Sequence, residues 1–417
     1  MSSINLREIK SRREMIRLFD GFSFERMEDI ENHRLKRPVV KTHLLELSNH
    51  ENNPNPLAAI SHARIELHQV EDDLFLLTDY LKGDMGFIEK IGTRVAAFYS
   101  IEKADELNRW VSGLVQKSAE IDHVWLSGLT FGVLWNVMSK LVPSSRYTRL
   151  GFRHESIYDI NNETLPESND EDEWNDERII ENTDFEEITE QRAATFRLTD
   201  RIRVVQDRLT QLQQLYSPLY AINQLRFPSQ VGRGGHDFYD NGRVTNRSDS
   251  FVDHRNHVCF IVDIYEHLLK LTENSAWYSV KEILQTTSEY SGMVGSPVVI
   301  KFQEPLSDSV FETWMESTFK NKHNKFRLWG HPIKLGPRKY HVYGVDCHLW
   351  QPIILEFTNK GCTAVLPTGT CGNTVHRLVT NTQRYLDPGA TAFIGEQNYS
   401  HLVEESTKGI QYDRRTQ

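Results

Sequence analysis

Residues 326–366 read FRLWGHPIKLGPRKYHVYGVDCHLWQPIILEFTNKGCTAVL. Three strand-like runs (326–335, 339–346 and 351–366) are separated only by Gly336-Pro337-Arg338 and by Cys347 to Trp350. Runs of this kind bounded by Gly and Pro predict strands and reversals. Consecutive strands on short loops pair with one another, so the segment predicts an antiparallel three-stranded meander. Working outward, a strand (298–302) and a helix (309–319) precede it, and Ser309 with Glu312 forms a capping box at that helix start. A helix (374–386), a stop at Asp387-Pro388-Gly389 and a strand (391–394) follow. Residues 291–400 are therefore expected to form a C-terminal α+β domain, with 401–417 as a tail.

Upstream, strands are expected at 39–47, 63–70, 74–80, 93–99 and 147–153, with helices at 1–36, 101–121 and 131–141. Leu107, Val111, Leu114 and Val115 mark the buried stripe of the second helix. Strands mixed with helices predict an N-terminal α+β domain over 1–160. Residues 192–290 read as a helical middle domain. Its helices are expected at about 185–215, with Ile202, Val205, Leu209, Leu212 and Leu215 at helical spacing, and at 257–271 and 280–287, around a Gly- and Arg-rich loop at 228–249. The fold class is multidomain α+β.

Between these parts, residues 161–191 hold thirteen acids and one base, a local charge of −12 against −10 for the whole chain of 417 residues. Everything outside that stretch carries +2, so the global charge describes an acidic linker and not the binding surfaces. No apolar run approaches the roughly 20 residues that span a bilayer, and the charged N-terminus lacks the apolar stretch of a secretory signal. A cytoplasmic protein without a membrane partner is expected. The four cysteines, Cys259, Cys347, Cys362 and Cys371, form no C-x-x-C pair and read as buried thiols rather than a zinc or disulfide framework.

In the C-terminal segment, Asp346 ends the second strand of the meander and Glu356 lies ten positions later on the third. Carboxylate oxygens suit a hard ion such as Mg²⁺, which can activate water for attack on a phosphate. The order helix, three strands, helix, strand with these two acids resembles the core of the PD-(D/E)XK nuclease superfamily. The resemblance covers about a quarter of the chain. It implies a restriction-endonuclease-like αβββαβ domain in which Asp346 and Glu356 hold Mg²⁺. Glu312 or Glu316, one turn apart on the first helix, resembles the accessory acid of some members. The family places a lysine two residues after the glutamate; here Thr358 stands there, and Lys360 follows on the same face, about 13 Å from Glu356 along the strand. Lys360 is the candidate catalytic lysine, with Lys334 and Lys339 as substitutes.

Arg226, Arg233, Arg243 and Arg247, with Phe238 and Tyr239 between them, suit phosphate contact and base stacking, or else pairing with the acidic linker. The turn Leu366 to Thr374 opens a helix and can cradle an anion through backbone N–H groups, with His376 and Arg377 behind it; a capped structural turn explains the same residues. Cys371 at that helix start is a candidate for a lowered pKa and for pairing with His376. Asp253, His254 and His257, with His236 and Asp237 nearby in sequence, can bind a transition metal or simply cap a helix. Together these features point to a nucleic-acid-associated protein with Mg²⁺-dependent phosphodiester cleavage. The alternative is a non-catalytic regulatory or interaction protein whose C-terminal domain senses a ligand or partner.

Overall fold

Two large antiparallel sheets organise the chain, and one wholly buried helix lies where they meet. The computed structural model describes residues 5–32, 38–47, 57, 60, 64–157, 194–285, 288–320, 324–410 and 412. The expected acidic linker lies outside the described residues.

Helix α1 (Arg12–Glu31) is capped by Ser11, whose side chain accepts from the Glu14 N–H. Strand β1 (Lys41–Leu47) is buried along its whole length. A meander follows through β2 (Ile65–Glu71), β3 (Leu74–Asp79), β4 (Gly83–Lys90) and β5 (Val95–Ser100), and β5 returns to pair with β1. Helix α2 (Ala104–Lys117) buries the expected stripe of Leu107, Val111, Leu114 and Val115 against this sheet. Next come β6 (Ile121–His123), paired with β1, then α3 (Gly128–Leu141), β7 (Tyr147–His154), β8 (Ala194–Arg201) and α4 (Ile202–Leu215).

The region expected to be a helical middle domain is different: residues 194–201, expected as helix, form β8 because they pair along β7, and the helix begins only at Ile202. Strands β9 (Ile222–Pro228), β10 (Gly235–Tyr239) and β11 (Arg243–Asn246) continue the first sheet, and β11 pairs with β1. The sheet therefore runs β2-β3-β4-β5-β1-β11-β10-β9-β7-β8, with β6 added beside β1. The glycines that suggested a long loop instead make tight reversals. Gly234 sits at φ +75°, and a Cβ there would lie 2.1 Å from the Arg247 carbonyl oxygen. Helix α5 (Phe251–Ala276) is longer than expected, and the predicted helix at 280–287 is instead a hairpin of β12 (Ser279–Gln285) and β13 (Ser288–Val294). Strand pairing outweighs helix propensity there.

The second sheet has the order β15-β16-β17-β18-β14-β19-β20. Its strands are β14 (Val298–Lys301), β15 (Leu328–Gly336), β16 (Lys339–Asp346), β17 (Gln351–Thr358), β18 (Gly361–Val365), β19 (Thr391–Ile394) and β20 (Gln397–Asn398). The expected third strand of the meander is thus two strands folded at Asn359–Lys360, with Gly361 at φ +148° opening the second. Helix α6 (Asp308–Lys320) starts one residue earlier than expected, and Ser307 rather than Ser309 accepts from the Val310 N–H. Helix α7 (Asn373–Tyr385) is buried at every residue, and α8 (Tyr399–Ser406) packs on α5 and α3. Mixed α/β architecture is the result, with no helix among the described residues long and apolar enough to cross a membrane.

Candidate functional site

Register decides the fate of the two metal-binding acids expected from the sequence. On the antiparallel pair β16–β17, Asp346 faces Gln351 and His341 faces Glu356. Glu356 therefore lies five residues beyond the partner of Asp346, about 16 Å along the strand and on the other face of the sheet. Asp346 belongs to the buried face with Tyr340, Val342, Leu355 and Phe357. There its carboxylate accepts from Arg377 Nη2 at 2.5 Å, from the His348 N–H at 2.9 Å and from the Thr374 hydroxyl. Glu356 stands on the open face between Lys339 Nζ at 2.8 Å and His341 Nε2 at 3.0 Å; the Lys339 contact is the main reason its carboxyl is held below the usual range. Helix α6 covers the buried face, so Glu316 is separated from Glu356 by the sheet, and it lines a shallow cavity of about 400 Å³ with Glu312 and His331. Lys360 lies exposed at the β17–β18 reversal. The expected Mg²⁺ ligands do not converge.

The arginines are also placed differently from the expectation of a free basic loop. Arg226 and Asp237 are cross-strand partners on β9 and β10, joined by two bonds of 2.6 and 2.7 Å. Arg247 reaches the same carboxylate at 2.9 Å. Burial would raise the Asp237 carboxyl, but Arg226 and Arg247 hold it below the usual range. Arg243 is 2% exposed, with its guanidinium 3.8 Å from the Tyr239 ring centroid. Only Arg233 of this group is at the surface, paired with Asp249 at 3.1 Å.

Arg377 is fully buried and belongs to an interlock between the two sheets. It donates to Asp122 of β6, to Asp346 of β16 and, through Nε, to the Phe326 carbonyl at 2.9 Å. Beside it, Glu46 of β1 receives His348 Nε2 at 2.7 Å and Arg94 Nη2 at 2.8 Å. The other His348 nitrogen is 2.9 Å from the Ala119 carbonyl, which can only accept, so both ring nitrogens carry hydrogen while Glu46 is ionised. Burial pushes the Glu46 carboxyl up, yet His348 and Arg94 bring it down to about 2. The anion-cradling turn before α7 is filled from within: the Gly372 N–H donates to Glu273 at 3.0 Å, and Glu273 also holds Arg94 at 2.7 Å. Burial drives the Cys371 thiol well above its ordinary value, not below it. Cys371 contacts Arg94 and Glu46, whereas His376 bonds the Tyr399 hydroxyl at 2.6 Å, so no Cys–His pair forms.

What the sequence reading missed is the open face of β15–β17. Trp329, Ile333 and Tyr343 are 52%, 47% and 68% exposed, with Ile354 and Leu335 beside them. Trp329 is the register partner of Val345 and His331 of Tyr343, which makes Trp329 and Tyr343 diagonal neighbours roughly 7 Å apart. Lys339 on this face and Arg338 at the β15–β16 turn are about half exposed, each in an exposed ion pair, while Lys334 pairs with Glu312 on the side that α6 covers. The available signal was in the sequence: residues 320–341 contain seven lysines and arginines and no acid, with Trp329 in their midst.

The chain belongs to the MJECL33-like protein family, whose model matches residues 4–401. It is 22% identical over 375 residues to the uncharacterized protein MJECL33 of Methanocaldococcus jannaschii, an alignment that covers 84% of this chain and 85% of the relative. No solved structure matches it significantly.

Proposed function

We propose that this member of the MJECL33-like family binds single-stranded nucleic acid on the open face of its C-terminal sheet. The observation that carries the reading is the pair of exposed rings, Trp329 and Tyr343, set diagonally on an antiparallel platform in and beside a run of seven bases without an acid, with His341 edge-on to Tyr343. Bases stack on such rings without regard to sequence, and lysines at the rim meet the backbone phosphates. The ion pair of Lys339 is solvent-exposed and weak, so a phosphate can displace Glu356 from it. The buried pairs of Arg226, Arg247 and Arg377 are closed to such exchange. The proposal keeps the C-terminal domain of the expected nuclease-like layout as the part that faces nucleic acid, and assigns it binding without a shared magnesium ion. Ile333, Leu335 and Ile354 on the same face favour the alternative, a non-catalytic protein that docks a protein partner there.

Fluorescence anisotropy with a labelled single-stranded oligonucleotide at low salt separates the two. Trp329→Ala and Tyr343→Ala are each expected to cost about 1–3 kcal/mol of binding, the worth of one stacked base. Lys339→Ala should reduce the salt slope by about 0.7. An oligonucleotide that fails to bind, or binds both ring variants as tightly as the parent, leaves the protein-docking reading in its place.

A further inference from the structure

A second cluster owes nothing to the C-terminal sheet. Along β10 the side chains alternate, so Asp237 faces Arg226 and Arg247 while His236 faces the start of α5. There Ser250 caps the helix by accepting from the Asp253 N–H, which fixes the first turn, and Asp253 and His257 fall four residues apart on one face. His236, Asp253, His254 and His257 are all at most 2% exposed. One donor atom from each of His236, Asp253 and His257 lies within 4.8 Å of the others.

The hydrogen bonds leave a pattern of orphans. His257 Nδ1 is 2.9 Å from the Asp253 carbonyl, an obligate acceptor, so Nδ1 carries the proton and Nε2 keeps its lone pair. That Nε2 is buried without a partner. His236 Nε2 is 3.1 Å from the Asp253 carboxylate, and its Nδ1 is likewise buried without a partner. His254 repeats the arrangement, with Nε2 2.7 Å from the Thr42 hydroxyl and Nδ1 orphaned. Native interiors seldom leave buried polar atoms unmatched; His154 and His376 also have one unmatched nitrogen, but here three such imidazoles gather at one carboxylate, a place for a water or a metal ion. His257, held at Nδ1 with a lone pair on Nε2, has the form in which proteins present histidine to metals, whereas His236 faces the Asp253 carboxylate through Nε2, so an ion between those two takes the place of that hydrogen bond.

The contrast with the other His-containing cluster is informative. Glu46, His348 and Cys371 also bring donor atoms within 4.8 Å of one another, but Arg94 already supplies the cation there, at 2.8 Å from Glu46 and 3.0 Å from Cys371. The ionic partners of Asp253 are histidines, and its remaining bonds come from Ser229, the Gln230 N–H and Tyr412. A buried carboxylate among imidazoles, with no lysine or arginine among its partners, has room in its charge balance for a divalent ion.

We propose that His236, Asp253 and His257 bind one first-row divalent transition ion of the zinc, iron, cobalt or nickel class, beneath Tyr412. Two nitrogens and one carboxylate favour these ions over Mg²⁺ and Ca²⁺, which take all-oxygen shells. Tyr412, whose hydroxyl lies 3.2 Å from Asp253 and 3.1 Å from His257, places the end of the described chain over the site.

The test uses the untagged full chain, stripped of metal and dialysed against micromolar Zn²⁺, with bound zinc counted by elemental analysis. One zinc per chain and a raised melting temperature are expected. His257→Gln and Asp253→Asn should weaken zinc binding by about tenfold or more, while Cys371→Ser leaves it unchanged. Should either histidine-cluster variant fail to fold, Co²⁺ in the parent protein still decides. Visible ligand-field bands without a thiolate charge-transfer band support the site. Less than stoichiometric zinc, a thiolate band, or binding lost in Cys371→Ser and kept in His257→Gln overturns it.

Discussion

The interlock between the sheets and the open face of β15–β17 both carry charged pairs, which behave in opposite ways. In the interlock, Arg377, Asp122, Asp346, Glu46, Arg94 and His348 are all nearly or fully removed from water, and each charge has its counter-charge within hydrogen-bond reach. On the open face, Lys339 and Glu356 also pair, but in solvent. A buried pair is costly to break because removing one partner strands the other in a low-dielectric medium. An exposed pair exchanges with water and ions at little cost. A charged pair is therefore scaffold in one region and available to a ligand in the other.

The largest effect that can break this comparison is expected at Arg377. Arg377→Met keeps most of the side-chain volume but leaves Asp122 and Asp346 buried with less positive charge between them. A stability loss of about 3–5 kcal/mol is expected in urea unfolding. A loss under about 1 kcal/mol would show that water reaches the interlock. The second test is the pH response of Glu46. Its carboxyl is held at about 2 when folded against an ordinary 4.5, so the stabilisation is complete above about pH 4.5 and is lost as pH falls toward 2. That amounts to roughly 3 kcal/mol. Urea midpoints of the parent and Glu46→Gln should differ most at pH 7 and draw together below pH 4.5. A difference that stays constant down to pH 3 contradicts the assignment.

Local signals carried much of the fold. The meander at 326–366, the stripe of α2 and the helix–strand ending were readable because each rests on residues within one turn or one reversal of each other. The pairing of β11 with β1 joins residues two hundred positions apart, and nothing in either segment announces its partner. The arginines misled for the same reason: Arg226 and Asp237 meet only once β9 and β10 pair, and before that the arginine looks free. The histidine cluster lies between these cases. Asp253, His254 and His257 announce a shared helix turn, but His236 joins them through the sheet. The open face left a trace in the sequence as a run of seven bases without an acid, but which side of the sheet each base takes is set by register, and Lys334 falls on the other side.

The smallest expected effect tests the comparison inside a single hairpin. Asp346 and Glu356 are both acids on the β16–β17 pair, yet one belongs to the interlock and the other to the open face. Asp346→Asn removes the charge that Arg377 Nη2 meets at 2.5 Å, while Asp122 still faces the guanidinium, so a loss of roughly 2 kcal/mol is expected. Glu356→Gln removes a charge that water and Lys339 share, and stability should change by no more than about 0.5 kcal/mol. Melting curves with millimolar Mg²⁺ sharpen the point. Acids on opposite faces cannot chelate one ion, so Mg²⁺ should move the parent and both variants alike. A melting temperature that rises with Mg²⁺ in the parent and in neither variant would mean that the two carboxylates meet in solution, and the division between locked interior and open face would fail at the hairpin where it is drawn most finely.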